Sequence, residues 1–216
     1  MAITTYGELK TAVANWLARS DLTAFIPDFI RLAEARIHHG SDNPQFPSEP
    51  LRIRLMETAV DVTIDAQTEA LPTGFLGARR FFINSTPITN LNQVSPTQLY
   101  TDFPDGTTGR PVEYTIEGSN FVFGPSPDQT YTGKLLYYKE FTSFSADADT
   151  NTLLTTSPGV YLYGALIEAM PFIQDDARLP MWFAMFSAAV NGLQGTNKRD
   201  AWSGSIRVVR TDTGNP

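Results

Sequence analysis

The stretch that most constrains this chain is 161–186, "YLYGALIEAMPFIQDDARLPMWFAMF". It is too apolar to lie open on a surface and too interrupted, by Pro171 and Pro180, to be one helix. The spacing predicts a helix from about Ser157, with Leu162, Leu166, Ala169, Met170 and Ile173 on one stripe. Pro171 has no N–H to donate and crowds the carbonyl of Ile167, so a kink or an early end is expected there. "QDDAR" then turns the chain, with Asp175 or Asp176 as N-cap at the positive end of the next helix dipole. Pro180 falls near the first turn, where a missing donor costs least.

The second helix carries Leu179, Trp182, Phe183, Phe186, Val190 and Leu193 on one stripe, with Met181, Met185, Ala188 and Ala189 mostly off it. A helix apolar nearly all round must be covered twice. Its second cover is lipid, another part of its own domain, or a neighbouring subunit. Leu179 to Asn197 has the length of a membrane span up to Lys198, but Pro180, Ser187, Asn191, Gly192, Gln194 and Gly195 leave it too polar, so no membrane is expected.

The N-terminus predicts a helical pair. Thr5 and Glu8 form a capping box ahead of Leu9, Val13, Trp16 and Leu17, giving a helix over about 5–19. Ser20 or Asp21 restarts the chain, Pro27 suits the first turn of a second helix, and Phe29, Leu32, Ala33 and Ile37 make its stripe. The aperiodic, proline-rich stretch 38–50 reads as an exposed loop and a candidate interaction element.

Strand periodicity follows. Val60, Val62 and Ile64 alternate with Asp61, Thr63 and Asp65, as in a half-buried strand. In "VEYTIEGSNFVF" the pair Gly118 and Ser119 predicts a two-residue hairpin turn, setting Ile116 opposite Phe121 and Tyr114 opposite Phe123. Thr115, Glu117 and Asn120 share the other, mostly wet face with Val122. Ser95, Pro96 and Gln98 predict a short capped helix, 130–141 a further strand, and the polar 142–156 a linker back to helical structure. No internal repeat is present.

Composition excludes more than it proves. The 216 residues are 42% hydrophobic and 18% charged, enough apolar area for a core. With no cysteine there is no disulfide framework, thiolate nucleophile or Cys-bound zinc, which fits a reducing compartment. "MAITTYGELK" turns polar at once, so no signal peptide is expected. A net charge of -7 opposes tight binding to a phosphate backbone and suits a surface that DNA slides past.

Catalytic chemistry finds little support. The two histidines, His38 and His39, are adjacent, a poor geometry for shared metal ligation, and read as surface loop residues. No nucleophile elbow, phosphate-binding glycine loop or metalloprotease motif occurs. Asp175 with Asp176, and Asp147 with Asp149, are explained as caps and solvated linker acids, and Asn84 to Thr86 as a chance sequon at a strand end. The basic pairs Arg52 with Arg54, Arg79 with Arg80, and Lys198 with Arg199 read as solvated faces and ion pairs. No catalytic, cofactor-binding or metal residue is expected. The tail "NKRDAWSGSIRVVRTDTGNP" holds Trp202, Ile206, Val208 and Val209, apolar residues that a frayed end does not need, and so suits a partner surface.

"TTYGELKTAVANWLARSDLTAFIPDFIRLAEARI", "LRIRLMET", "LPTGFL", "YTIEGSNFVFGPSP" and "VYLYGALIEAMPFIQDDAR", in this order, resemble the adaptor proteins of tailed bacteriophages and the wider group of podovirus tail tubular protein A. "IPDFIRLAEARI" and "LYGALIEAMPFIQDDAR" are the most specific pieces. The resemblance implies a structural head-to-tail connector of the virion, assembled in the host cytoplasm as a homo-oligomeric, dodecameric ring. Such a ring joins the portal protein to the tail nozzle protein, and genomic DNA passes through its channel without specific binding. It implies no catalytic residue and no cofactor.

The expected architecture is α+β: a discontinuous helical bundle (1–50 and 157–197), an inserted antiparallel β domain (51–141), a linker (142–156) and an extended C-terminal tail (198–216). The expected partner-binding residues are Met181, Trp182, Phe183 and Met185 on the last helix, and Lys198, Arg199, Trp202, Ile206, Arg207, Val208 and Arg210 in the tail. The competing expectation is a carbohydrate-binding or hydrolytic tail component, suggested by the aromatic content and the hairpin.

Overall fold

The computed structural model describes residues 2–173 and 177–200, the last in backbone only. Thr5 opens helix α1 (Tyr6–Leu17) with the expected capping box: its hydroxyl accepts from the Glu8 N–H, and a Glu8 carboxylate oxygen accepts from the Thr5 N–H at 3.1 Å. Leu9, Val13 and Leu17 are buried. The helix ends earlier than 19 because Ala18 turns left-handed, at φ 55°, and Trp16 is left exposed with its ring edge-on to Tyr163 at 5.6 Å.

A 3₁₀ turn (Ser20–Phe25) leads into α2 (Ile26–His39), with Pro27 in its first turn. Its buried stripe is Phe29, Ile30, Ala33 and Ile37. Leu32, expected on that stripe, is exposed.

From Gly40 the region 38–50 is the expected loop, with Asp42, Pro44, Gln45, Pro47 and Glu49 exposed, but it folds back on itself: Ser41 and Ser48 exchange backbone hydrogen bonds of 2.8 and 2.9 Å, the Phe46 carbonyl accepts from Arg36 at 2.7 Å, and Phe46 is buried beside Phe183. His38 is not a surface residue. It is buried, and its Nε2 accepts from the Phe141 N–H at 3.1 Å, while His39 stays exposed.

A 3₁₀ turn (Arg54–Met56) precedes the β elements: β1 (Glu57–Ile64), β2 (Thr68–Ala70), β3 (Phe75–Ile83), β4 (Thr89–Asn90) and β5 (Asn92–Gln93). Helix α3 (Pro96–Asp102) interrupts them, and β6 (Thr108–Gly109), β7 (Glu113–Glu117), β8 (Asn120–Gly124), β9 (Ser126–Pro127) and β10 (Tyr131–Lys139) follow. One sheet runs β1-β10-β3-β4, all antiparallel, and a second runs β2-β8-β7-β5, with β5 parallel to β7.

The hairpin register is the expected one, Ile116 opposite Phe121 and Tyr114 opposite Phe123, with Gly118 supplying the positive φ of 59° that the turn needs. Its inner face meets the first sheet: Phe81 lies 5.2 Å from Phe121 and 5.4 Å from Tyr114, ring to ring, and Ile64, Ile83 and Leu135 complete this core. The other face is not wet. Thr115 and Val122 are buried, because α3, which starts at Ser95 as its N-cap, covers that side; a Cβ on Gly124 would come 2.7 Å from Leu99 and 2.6 Å from Phe103.

The segment 142–156 is more than a connection. Asn151 caps α4 (Thr152–Thr156) by accepting from the Leu154 N–H at 2.9 Å and donates to the Tyr161 hydroxyl at 2.8 Å, and Leu153 and Leu154 are fully buried. Helix α5 (Pro158–Glu168) follows and packs close to α2, where a Cβ on Gly164 would sit 3.1 Å from that of Ala33. A short α6 (Met170–Ile173) holds Pro171, so the first helix of the apolar stretch ends where its proline predicts. Asp175 and Asp176, the expected caps, lie outside the described residues. Helix α7 (Leu179–Asp200) closes the described chain, so Lys198 and Arg199 belong to its last turn rather than to a tail. The helices share one core and the two sheets another, an α+β architecture.

Candidate interaction surface

Helix α7 answers the question posed by its sequence. On one side Leu179, Trp182 and Phe186 are buried and Phe183, Val190 and Leu193 are half-buried against the helical core. On the other, Met181, Ala184, Met185, Ala188, Asn191 and Gly192 are exposed, at spacings that keep them on one stripe. Met181 is 46% and Met185 37% exposed. The stripe carries no charge over three turns.

Of the residues expected to bind partners, Trp182 must therefore be reassigned. It is 0% exposed, the Arg178 guanidinium lies 4.8 Å from its ring centroid, and its Nε1 has no acceptor. It is sealed inside the protomer because the spacing that aligned it with Phe186 turns it inward. Phe183 is half-buried, its ring 5.3 Å from that of Phe46. Lys198 and Arg199 are exposed at the helix C-terminus, where the dipole favours cations. Trp202, Ile206, Arg207, Val208 and Arg210 lie outside the described residues.

A second apolar patch, which periodicity did not single out, joins Phe25 and Phe172, both exposed, with rings 5.1 Å apart. The Phe172 carbonyl accepts from Arg19 at 3.3 Å, and Arg178 donates to the Trp16 carbonyl at 3.0 Å, so two arginines pin this end of the helices.

The linker acids and the arginine pairs of the β region serve structure. Asp147 pairs with Lys10 at 2.5 Å, and Asp149 accepts from the Ser145 and Ala146 N–H groups, both at 2.7 Å. Arg79 pairs with Glu57, Arg80 stacks on Phe82, and Arg52 donates to the His38 carbonyl. Among the described residues no group of acids and histidines is placed to hold a metal ion, and no helix is long and apolar enough to cross a membrane.

One buried acid stands apart. Glu34 is 7% exposed in a pocket of about 380 Å³ lined by Tyr6, Asp28, Arg31, Ser143 and Phe144, and its Oε1 has no partner. Burial pushes its pKa up to about 7, although hydrogen bonds from the Ser143 hydroxyl and the Phe144 N–H pull the other way. The folded state therefore holds a proton that the unfolded chain loses above 4.5. Stability should fall as pH rises through this window, with the full cost, ~3 kcal/mol, present above pH 7 and absent below about 4.5. His38 acts oppositely: burial lowers its pKa, so the unfolded chain takes up the proton first, and its contribution is lost as pH falls below 6.5. Comparing Glu34→Gln with the parent cancels the histidine. We expect the variant to be more stable by about 1–3 kcal/mol at pH 8 in urea titrations, with the difference shrinking through pH 5 and vanishing below about pH 4.5. A difference constant in pH would assign Glu34 no titration.

No curated protein matches the chain. The family model of the SU10 adaptor protein does match, over residues 4–209. With all but its first three and last seven residues inside that match, the chain belongs to the SU10 adaptor protein family, a group of structural adaptors of bacteriophages.

Proposed function

We propose that this adaptor forms a homo-oligomeric ring at the head-to-tail interface of the virion, joining the portal protein to the tail nozzle protein and continuing the DNA channel. The observation that carries the proposal is the uncharged outward stripe of α7, in a chain of an adaptor family. Met181 and Met185 meet the neighbouring protomer, methionine being a side chain that adapts to irregular apolar contacts. In this reading the helices of 1–50 and 157–197 build the ring wall, the β domain of 51–141 faces the tail, and the basic end of α7 with the following tail residues anchors on the portal. A dodecamer is the stoichiometry the reading carries. The net charge of -7 supports passage of DNA without specific binding, and assembly takes place in the host cytoplasm.

Mass photometry of the purified protein with and without portal of the same phage tests this. The expected result is a small species alone and a closed ring on portal. Absence of portal binding, together with binding to host polysaccharide, would replace the connector by a sugar-recognising tail component.

A further inference from the structure

β1 is an outer strand. β10 pairs with one side of it from Glu57 to Ile64, and among the described residues nothing pairs with the other. An open edge is a template for a further strand, and proteins ordinarily blunt it with shortness, proline, lysine or a bulge. The remaining edges of the two sheets, β2, β4 and β5, are two or three residues long. β1 runs for eight residues with no proline or lysine and an unbroken register.

Which backbone groups this edge leaves open follows from the ladder. The Thr132 carbonyl accepts from the Asn84 N–H, on the β3 side of β10. Backbone groups alternate sides along a strand, so Tyr131, Gly133, Leu135 and Tyr137 point at β1, where they meet Ile64, Val62, Val60 and Thr58. Glu57, Ala59, Asp61 and Thr63 therefore point away. The Glu57 N–H is taken by the Arg54 carbonyl. Open among the described residues are the N–H groups of Ala59, Asp61 and Thr63 and the carbonyls of all four. Val60 is exposed although it shares the face on which Leu135 and Tyr137 are buried, and Asp61 lies on the other face, beside Lys134.

This edge is complementary to itself in one register. An antiparallel twofold centred on Val60 sets Asp61 opposite Ala59 of the second copy and Thr63 opposite Glu57, so every open N–H meets an open carbonyl. Val60 then faces Val60 of the second copy as a close, non-hydrogen-bonded pair, and Thr58 faces Val62. Sliding by two residues either way sets an acid against an acid, Asp61 on Asp61 or Glu57 on Asp61. Sliding by one turns open groups toward closed ones.

We infer that two copies of this chain pair through β1, antiparallel about a twofold axis at Val60, joining their β1-β10-β3-β4 sheets into one continuous sheet. The pairing is independent of the ring reading: it closes at two copies and leaves the α7 stripe untouched.

Sedimentation equilibrium of the full-length protein tests it. The average mass of the parent should rise with concentration from 23.9 kDa towards twice that value. Val60 is exposed, so Val60→Lys should fold as the parent does; it sets two ammonium groups against each other at the axis and should hold the mass at 23.9 kDa throughout. Met181→Glu with Met185→Glu should dimerise like the parent. A parent that stays at 23.9 kDa up to its solubility limit would overturn the inference. So would a dimer that Val60→Lys keeps and the α7 pair loses. Because the chain has no cysteine, the register is read separately. Under one oxidant Val60→Cys should form an interchain disulfide on the order of tenfold faster than Thr63→Cys, whose two copies lie about 20 Å apart in this register. Equal rates would overturn the twofold at Val60.

Discussion

Trp182→Ala is expected to destabilise the free protomer by about 3–5 kcal/mol, in the range for deleting a large buried aromatic. The indole is the largest fully buried side chain of the molecule's described part and belongs to the core shared by α1, α2, α5 and α7. Truncation removes its dispersion contacts, leaves a cavity, and strips Arg178 of the ring it stacks on. Against a typical total of about 5–15 kcal/mol that loss brings the protomer close to unfolding. Trp182→Phe should cost less than the alanine change, because it keeps most of the packing and removes an indole N–H that has no acceptor. Urea titrations of the free protomer measure both. A loss under about 1 kcal/mol for the alanine variant would put Trp182 at an interface rather than inside the chain.

Arg36→Ala is expected to cost about 3–5 kcal/mol, for an electrostatic reason. The Arg36 side chain is 6% exposed, its Nε lies 2.5 Å from Glu168 on α5, and its Nη1 donates to the Phe46 carbonyl at 2.7 Å. One guanidinium thus ties α2 to α5 and to the folded-back segment 41–48. Deleting it strands a carboxylate and a carbonyl in a site with little water. Arg36→Met with Glu168→Leu removes both charges and should recover at least half of the loss, which denaturation of the pair and of the single variants reads directly. A double variant as unstable as Arg36→Ala would show that the arginine acts through the Phe46 carbonyl alone.

The parts of this fold that are legible in the sequence are those fixed by local chemistry. The capping box at Thr5, the turn at Gly118 with the pairing it dictates, and the break at Pro171 each depend on a few neighbouring residues. β3 was invisible for a definite reason. Its register against β10 shifts between Leu136 and Tyr137, so that Arg79 and Arg80 both face solvent in succession and the two-residue alternation is lost. Val60 departs from its expected burial because β1 is an edge strand, and no periodicity distinguishes an edge from a centre.

Other departures come from tertiary partners that a sequence window does not contain. His38 follows the helical stripe into the protein because Phe141, about a hundred positions later, presents an N–H to it. The region 142–156 is polar in composition, yet Leu153 and Leu154 fill the core once Asn151 caps the turn before them. For the candidate surface, the sequence showed that α7 is apolar on two sides but not which side faces in. Trp182, the obvious anchor, went to the core, and the more modest Met181 and Met185 were left outside.

Whether the outward stripe of α7 is a protomer-to-protomer contact is decided by mass photometry of Met181→Glu with Met185→Glu on purified portal. Both methionines are exposed, so the variant should keep the urea midpoint of its parent while two carboxylates per contact prevent ring closure. Portal is expected to carry few or no copies of the variant, beside full occupancy for the parent. A variant that closes the same ring at the same concentration would contradict it.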